Sequence, residues 1–386
     1  MADRVLILGA SARAAAASAR RAGLDPFAID LFADADTQQL SDCLRCPPDR
    51  YPEGLFELAK QAPPMPWMYT GGLENYPELI AGLARERELW GNGPNALGYA
   101  RDPYQIAWIL EYYELPGPGV RHPLTGLPPE GCWLRKRRGG SGGLGVRIAT
   151  LTDFESPSSD PDGHYFQQFV PGRSMSVAFS TGGKLVWQHL MLGVTIQLVG
   201  ESWLHAPPFR YAGNIGPVDL TDEITQQVRT AGDRIATHTG LRGTWGIDFV
   251  MHLESPYTIE VNPRYPASAE IIEFATGRPV LAVGLEDSAH PTKTVGKAIY
   301  YAPHRLTFPA SGPWDDSVRH AADVWRRPDF ADVPHPGEVI EAGHPVLTIL
   351  TEADTEAACL ARLQSRAAEL DRLFGFPTPE GESCRP

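Results

Sequence analysis

Gly243-Thr-Trp-Gly-Ile-Asp-Phe-Val-Met251 and Tyr257-Thr-Ile-Glu-Val-Asn-Pro-Arg264 are two apolar, β-branched runs flanking His252-Leu-Glu-Ser-Pro256, which has the composition of a turn. They predict a β-hairpin. Side chains alternate along a strand, so Glu260 and Asn262 share one face while Ile259 and Val261 point the other way. Asp248 likewise points away from Ile247 and Phe249. With the turn centred on Glu254, Asp248 stands across from Glu260, and two carboxylates and an amide oxygen converge on one patch. Facing carboxylates repel unless a cation or a shared proton intervenes. Hard oxygen ligands on paired strands suit Mg²⁺ (or Mn²⁺), which takes one or two carboxylates and completes its shell with phosphate oxygens and water. The competing reading is a solvated hairpin face whose acids hold nothing.

A second motif bears on that choice. In Trp133-Leu-Arg-Lys-Arg-Arg-Gly-Gly-Ser-Gly-Gly-Leu-Gly-Val146, a short strand carrying Lys136 runs into a loop with five glycines between Gly139 and Gly145. Glycines let backbone N–H groups turn toward a phosphate chain, and the lysine offers a point charge to the same phosphates. No Gly-Lys-Ser/Thr closes the loop, so it is not a Walker loop. A flexible hairpin loop is one alternative, and a basic patch for nucleic acid, built on Arg135, Arg137 and Arg138, is another. The strongly acidic chain argues against the latter.

Together the two motifs resemble the ATP-grasp superfamily. In that family a lysine before a glycine-rich flap, an adenine-contacting hinge and a late Asp…Glu-x-Asn-Pro-Arg hairpin follow one another in this order. The hinge has its counterpart in His164-Tyr-Phe-Gln-Gln-Phe-Val-Pro-Gly-Arg-Ser-Met-Ser-Val177. More narrowly, the chain resembles predicted ATP-dependent carboligases related to biotin carboxylase and to tyramine–glutamate ligase.

The resemblance implies a Rossmann-like pre-domain over residues 1–115. A two-lobed ATP-grasp fold would follow, lobe A at 116–184 and lobe B at 185–285, with a small C-terminal β-rich element and closing helix at 286–386. It implies that ATP binds through Lys136, Gly139, Gly140, Ser141, Gly142, Gly143, Gln168, Phe169, Val170 and Ser174, and that Asp248, Glu260 and Asn262 hold the metal. Lys136 and Arg264 are the catalytic candidates, the arginine meeting a transferred phosphate bidentately. Glu74, Arg210 and Asn214 are candidate substrate contacts; a loop-to-helix cap before Pro77 competes for Glu74, and a structural loop role for Arg210. Lys184 is a candidate second ATP-contacting lysine. The chain departs from the family at Gln167-Gln168, where a glutamate is common, and at Ser174, near where an acid often binds ribose. The implied reaction is ATP-dependent joining of a carboxylate to an amine through an acyl phosphate. A bicarbonate-activating carboxylase and a non-catalytic nucleotide-binding subunit are the alternatives.

The flanks fit this layout. A chain of 386 residues with 42% hydrophobic content supports two or three packed units. The net charge of −13 argues against nucleic acid and anionic membranes as partners, and no apolar run reaches the length of a membrane span. Five cysteines without a framework and the absence of a signal-peptide layout point to a cytoplasmic protein. Cys43-x-x-Cys46, lacking a second pair, reads as incidental. The state of association is open, a homodimer being compatible.

Val5-Leu-Ile-Leu8 and Phe27-Ala-Ile-Asp-Leu31 predict parallel strands, with Ser11 capping an alanine-rich helix between them. Gly9 and Asp30 invite a dinucleotide reading, but Ala12 and Ala14 stand where close backbone approach favours glycine. Met65–Tyr69 predicts a further strand, with helices at Pro77–Trp90, Pro103–Glu114, Asp222–His238 and Thr355–Leu373. Strands are expected at Lys297–Tyr301 and Val346–Leu350.

Overall fold

The computed structural model describes residues 4–123, 131–150, 152–153, 163–182, 189–281 and 291–377. Lys184 and most of the 153–163 loop lie outside the described residues. The continuous apolar strands of the first hundred residues form a parallel sheet. Its strands β1 (Arg4–Leu8), β2 (Asp25–Asp30), β3 (Asp42–Arg45) and β4 (Trp67–Tyr69) run in the order β3-β2-β1-β4. Val5, Leu6, Ile7 and Leu8 are completely buried, as a parallel strand covered on both faces requires.

The turn after β1 differs from the expected cap. The helix Arg13–Arg21 begins after Ala12 without a side-chain cap. The Ala12 N–H donates instead to Asp30 Oδ2 at 2.8 Å, and Ser11 Oγ reaches Asp332. An ionised acceptor from the next strand outcompetes a local hydroxyl for the orphan donor. Asp30 also accepts the N–H groups of Phe32 and Ala33, so its carboxylate is committed to shaping the loop rather than to a ribose. A Cβ on Gly9 would collide with Thr70 Oγ1. Glycine there serves the packing of the β1 turn on the β4 turn, which removes the remaining support for a dinucleotide site.

A second, antiparallel sheet comprises β5 (Val120–Arg121), β6 (Trp133–Arg137), β7 (Arg147–Ile148) and β8 (His164–Gln168), in the order β5-β8-β6-β7. The largest sheet has eight strands. They are β9 (Arg173–Thr181), β10 (His189–Val199), β11 (Tyr211–Gly216), β12 (Gly243–His252), β13 (Ser255–Asn262) and β14 (Thr294–Tyr301), then β16 (Phe330–Ala331) and β18 (Pro345–Ala353). Their order is β13-β12-β9-β10-β11-β14-β18-β16, and the short strands β15 (Leu306–Thr307) and β17 (Val339–Ile340) pair with each other. The helix Asp222–Thr239 packs on the large sheet; Val228, Ile235 and Ala236 join the core of Phe179, stacked on Trp245 at 4.6 Å.

The sheets divide the chain at other points than residues 184 and 286. Arg173–Thr181 pairs with β10 and β12, so the change of sheet falls between Gln168 and Arg173. The strands β14 and β18 continue the large sheet by covering the edge of β11, which would otherwise present unpaired backbone groups. The C-terminal segment is therefore an extension of that sheet, closed by the helix Glu356–Phe374 through Cys359, Leu363 and Leu370. Helix bounds also shift. Pro77–Ala84 ends before Trp90, and a separate helix at Pro94–Ala100, unforeseen in the sequence, precedes Pro103–Tyr112.

Buried ion pairs fasten the parallel sheet to the rest. Arg13 binds Glu270 and Asp332, Lys297 Nζ reaches Glu270 Oε2 at 2.9 Å, and Arg21 Nε reaches Glu273 Oε2 at 2.7 Å.

Candidate active site

The hairpin forms as its alternation predicts. Asp248 pairs with Glu260 and Gly246 with Asn262, with a bulge directly after Asp248. Asn262 Nδ2 donates to Asp248 Oδ2 at 2.9 Å. Arg264 then ties the hairpin to the parallel sheet. Its Nη2 donates to Asn262 Oδ1 at 3.0 Å, and its Nε to Glu74 Oε1 at 2.9 Å.

Arg101 is a site residue that the sequence did not single out. It lies between two helices and 159 positions from Glu260, yet its Nη1 donates to Glu260 Oε1 at 2.6 Å. Its Nη2 donates to Gly140 O at 2.6 Å and to Asn75 Oδ1 at 3.2 Å. No local pattern marks such a residue, since only the tertiary fold brings it to the hairpin.

The two carboxylates sit in different fields. Burial, followed by the charge of Glu260, pushes the Asp248 carboxyl up to about 7. Burial also works against an ionised Glu260, but Arg101 and Lys136 outweigh it and hold that carboxyl below its usual range. Lys136 is buried, and its Nζ donates to Gln167 Oε1 at 3.1 Å. Burial disfavours its charge, yet Tyr165 and Glu260 more than compensate, so the ammonium is retained. Gln167, where the family pattern has an acid, in turn donates through Nε2 to Ile259 O at 3.1 Å. One oxygen of Asp248 and one of Glu260 have no hydrogen-bond partner among the described residues. Two carboxylates and an amide can hold a divalent cation through those two open oxygens, while Arg101 occupies the other oxygen of Glu260.

The glycine loop lies folded against the large sheet. Tyr211 N–H donates to Gly142 O at 3.1 Å. Gly143 has φ +78°, and a Cβ there would run into Phe209 O. Glycine at this position is thus required twice, by conformation and by close approach.

Lys136, Gly139, Gly140, Ser141, Gly142, Gly143, Gln168, Phe169, Val170, Ser174, Asp248, Glu260, Asn262 and Arg264 all line one cleft of about 2060 Å³ between the three sheets. A drug-sized ligand occupies roughly 300–1,000 Å³, so the cleft has room for a nucleotide and a second molecule. At the hinge, Phe169 N–H is bonded to Cys132 O at 2.8 Å, while the Phe169 carbonyl and the Val170 N–H have no backbone partner among the described residues.

The three substrate candidates are placed differently from expectation. Glu74 is buried behind Arg264 and does not line the cleft; it orients the arginine. Arg210 does not line the cleft either, its guanidinium lying 5.6 Å over the Tyr301 ring. Asn214 does line it, but its amide is held by Thr195 Oγ1 at 2.9 Å, Ser176 Oγ at 3.3 Å and the Tyr211 hydroxyl. It is part of the wall, since a buried amide so satisfied has little left to offer a ligand.

Residues 104–268 match the family model described as an ATP-grasp domain. The chain therefore carries an ATP-grasp domain, of which Lys136, the glycine loop and the acidic hairpin are parts. Among curated proteins it is similar to an uncharacterized protein of Methanocaldococcus jannaschii, 26% identical over 152 residues, 38% of this chain and 35% of that one. It is also similar to the carbamoyl phosphate synthase large chain of Beutenbergia cavernae, 24% identical over 214 residues, 50% of this chain and 19% of that one. The matched segments thus span about a third or less of these relatives' lengths.

Solved structures share the fold over nearly the whole chain. The L-amino acid ligase of Bacillus licheniformis superposes with a TM-score of 0.69 at 16% identity, covering 95% of this chain and 97% of that one. The N5-carboxyaminoimidazole ribonucleotide synthetase of Thermus thermophilus gives 0.66 at 18% identity, with 97% and 100% covered. The biotin carboxylase domain of the Hydrogenobacter thermophilus 2-oxoglutarate carboxylase, solved as a dimer with MgADP, ADP and bicarbonate, gives 0.68 at 14% identity, with 93% and 88% covered. Among the described residues no helix is long and apolar enough to cross a membrane.

Proposed function

We propose that this chain is an ATP-dependent carboxylate–amine ligase that works through an acyl phosphate and releases ADP and phosphate. One observation carries the reading: an ammonium on Lys136, a glycine loop and an acidic hairpin, distant in sequence, face one another across a single cleft. ATP would lie with its base at Phe169 and Val170, its ribose near Ser174 and its phosphates beneath Gly139–Gly143. Asp248, Glu260 and Asn262 would hold Mg²⁺, which when bound neutralises the β- and γ-phosphates.

The protein's own groups do the rest. Lys136, kept charged by Tyr165 and Glu260, balances the triphosphate. Arg264, pinned by Glu74 and Asn262, presents its fork where a carboxylate attacks the γ-phosphate. The carboxylate oxygen forms a bond to phosphorus as the bond to ADP breaks. An amine then attacks the acyl carbon, phosphate leaves and the amine loses its proton. The folded flap excludes water, which would otherwise hydrolyse the acyl phosphate.

The similarity to ligases and carboxylases of the same fold supports a reaction of this class. The test is ADP and phosphate release from MgATP across amino acids, amines and bicarbonate. Release that requires both a carboxylate and an amine, with an amide formed in equal amount, is expected. Release that requires bicarbonate and no amine would mean a carboxylase instead, and none with any pair would overturn both.

A further inference from the structure

The far end of the cleft, where the carboxyl ends of β1, β2 and β4 meet the C-terminal segment, is crowded with acids. Four of them are satisfied. Asp30 accepts three backbone N–H groups, and Asp36 accepts those of Asp332 and Val333. Asp332 binds Arg13 and Thr348, and Glu338 binds Arg45.

Asp34 is different. It lies just past β2, is 4% exposed and lines the cleft, yet its carboxylate has neither a hydrogen bond nor an ion pair among the described residues. It precedes the short helix Ala35–Leu40 but makes no capping bond to it. Burial, followed by the negative charges of Asp36, Asp332, Asp30 and Glu338, raises its proton affinity well above that of an ordinary aspartate. A carboxyl in this state keeps its proton until a cation arrives to hold its charge.

The surroundings select the kind of cation. The neighbouring acids are spent on backbone and arginine partners. An organic ammonium or guanidinium needs only one charge-assisted hydrogen bond to a carboxylate and brings its own remaining hydration or hydrogen bonds.

We propose that Asp34 is the recognition point for an organic cation, an ammonium or guanidinium group carried by the small-molecule substrate. The proposal rests on the ligase reading for the identity of that molecule as a substrate. The sheet order supplies the scale. β2 lies two strands from β4, roughly 10 Å at the usual strand spacing. Gly71, at the end of β4, packs against the Arg264 guanidinium. A substrate with its reacting group at Arg264 therefore carries its cation at the far end of an extended chain, as a diamino or guanidino acid does.

Calorimetric titration of the full chain with MgADP present tests this, using L-lysine against L-norleucine, L-arginine against L-citrulline, and also putrescine and agmatine. At least one cationic compound should bind about tenfold or more tightly than its neutral counterpart or, for the two amines, than n-butylamine. Asp34→Asn should abolish that preference while leaving MgADP affinity unchanged. The same variant, without ligand, should unfold at a higher temperature than the natural chain at neutral pH, because it removes a carboxyl that must take up a proton on folding. Equal binding of cationic and neutral compounds, a preference that survives Asp34→Asn, or a lower unfolding temperature in the variant would each overturn the assignment. A preserved cation preference without any ADP release would instead reject the ligase reading and leave the cation site standing.

Discussion

Glu260 and Asp248 occupy one rung of one hairpin, but only Glu260 is paired with a guanidinium. Glu260→Gln keeps the shape and removes the charge that faces both Arg101 and Lys136. Substrate-dependent phosphate release should fall by about 10²–10³-fold with the circular dichroism spectrum unchanged; full activity would reject the metal-site assignment. Asp248 makes a different prediction. Its folded-state value of about 7 lies above the unfolded value of about 4, so the folded chain binds that proton more tightly. Stability is then lost as pH rises from about 4 to about 7 and does not fall further from this cause above it. In chelator, the unfolding temperature of Asp248→Asn should exceed that of the natural chain by a margin that grows across this window and levels off above it. A margin independent of pH would show that Asp248 does not titrate there.

At the scale of elements, the flap is held by backbone contacts that only small residues permit. Gly143→Val would clash with Phe209 O and would strain a residue at φ +78°. The flap would stand off Tyr211, misplacing phosphate-binding groups, and kcat/KM for ATP should fall on the order of 10²-fold. Because the loop's neighbours Ser141 and Leu144 are not core residues, the unfolding temperature should hardly move; a large drop would show that the loop is structural. Legibility also sorts at this scale. The hairpin register and the buried strand Val5–Leu8 were readable because period-two alternation and continuous apolar runs are local signals. The helix Pro94–Ala100 and the strand Asp42–Arg45 were not, the first being seven residues that include Pro and Gly and the second four residues of which half are charged. The site divided in the same way. Lys136, the glycines and the hairpin acids announce themselves by composition, whereas Arg101 acts through a partner 159 positions away. Glu74 and Arg210 looked like ligand contacts because charge in a loop is visible in a sequence, while the buried or stacked position that occupies it is not.

At the scale of the molecule, the cleft exists because the parallel sheet is clamped to the eight-stranded sheet, by an apolar core in which Ala12 and Ala16 join Tyr265 and Ile272 and by buried ion pairs. Glu270 is fully buried between Arg13, from the first helix, and Lys297, from β14, while Arg13 also binds Asp332 near the C-terminal strands. Arg13 and Lys297 hold Glu270 well below the usual carboxylate range despite its burial. Glu270→Gln leaves two buried cations with one charge fewer to face, and breaking a buried pair in this way costs about 3–5 kcal/mol. Lys297→Met removes one cation but leaves Glu270 still bound by Arg13, so it should cost less. The midpoints of urea unfolding should therefore fall in the order natural chain, Lys297→Met, Glu270→Gln; the reverse order would place the clamp elsewhere. Arg13, Lys297 and Asp332 also line the cleft, at the end away from the adenine hinge. Loosening them should raise the KM of the second substrate more than that of ATP, because the nucleotide groups hang on the flap, the hinge and the hairpin, none of which touches Glu270.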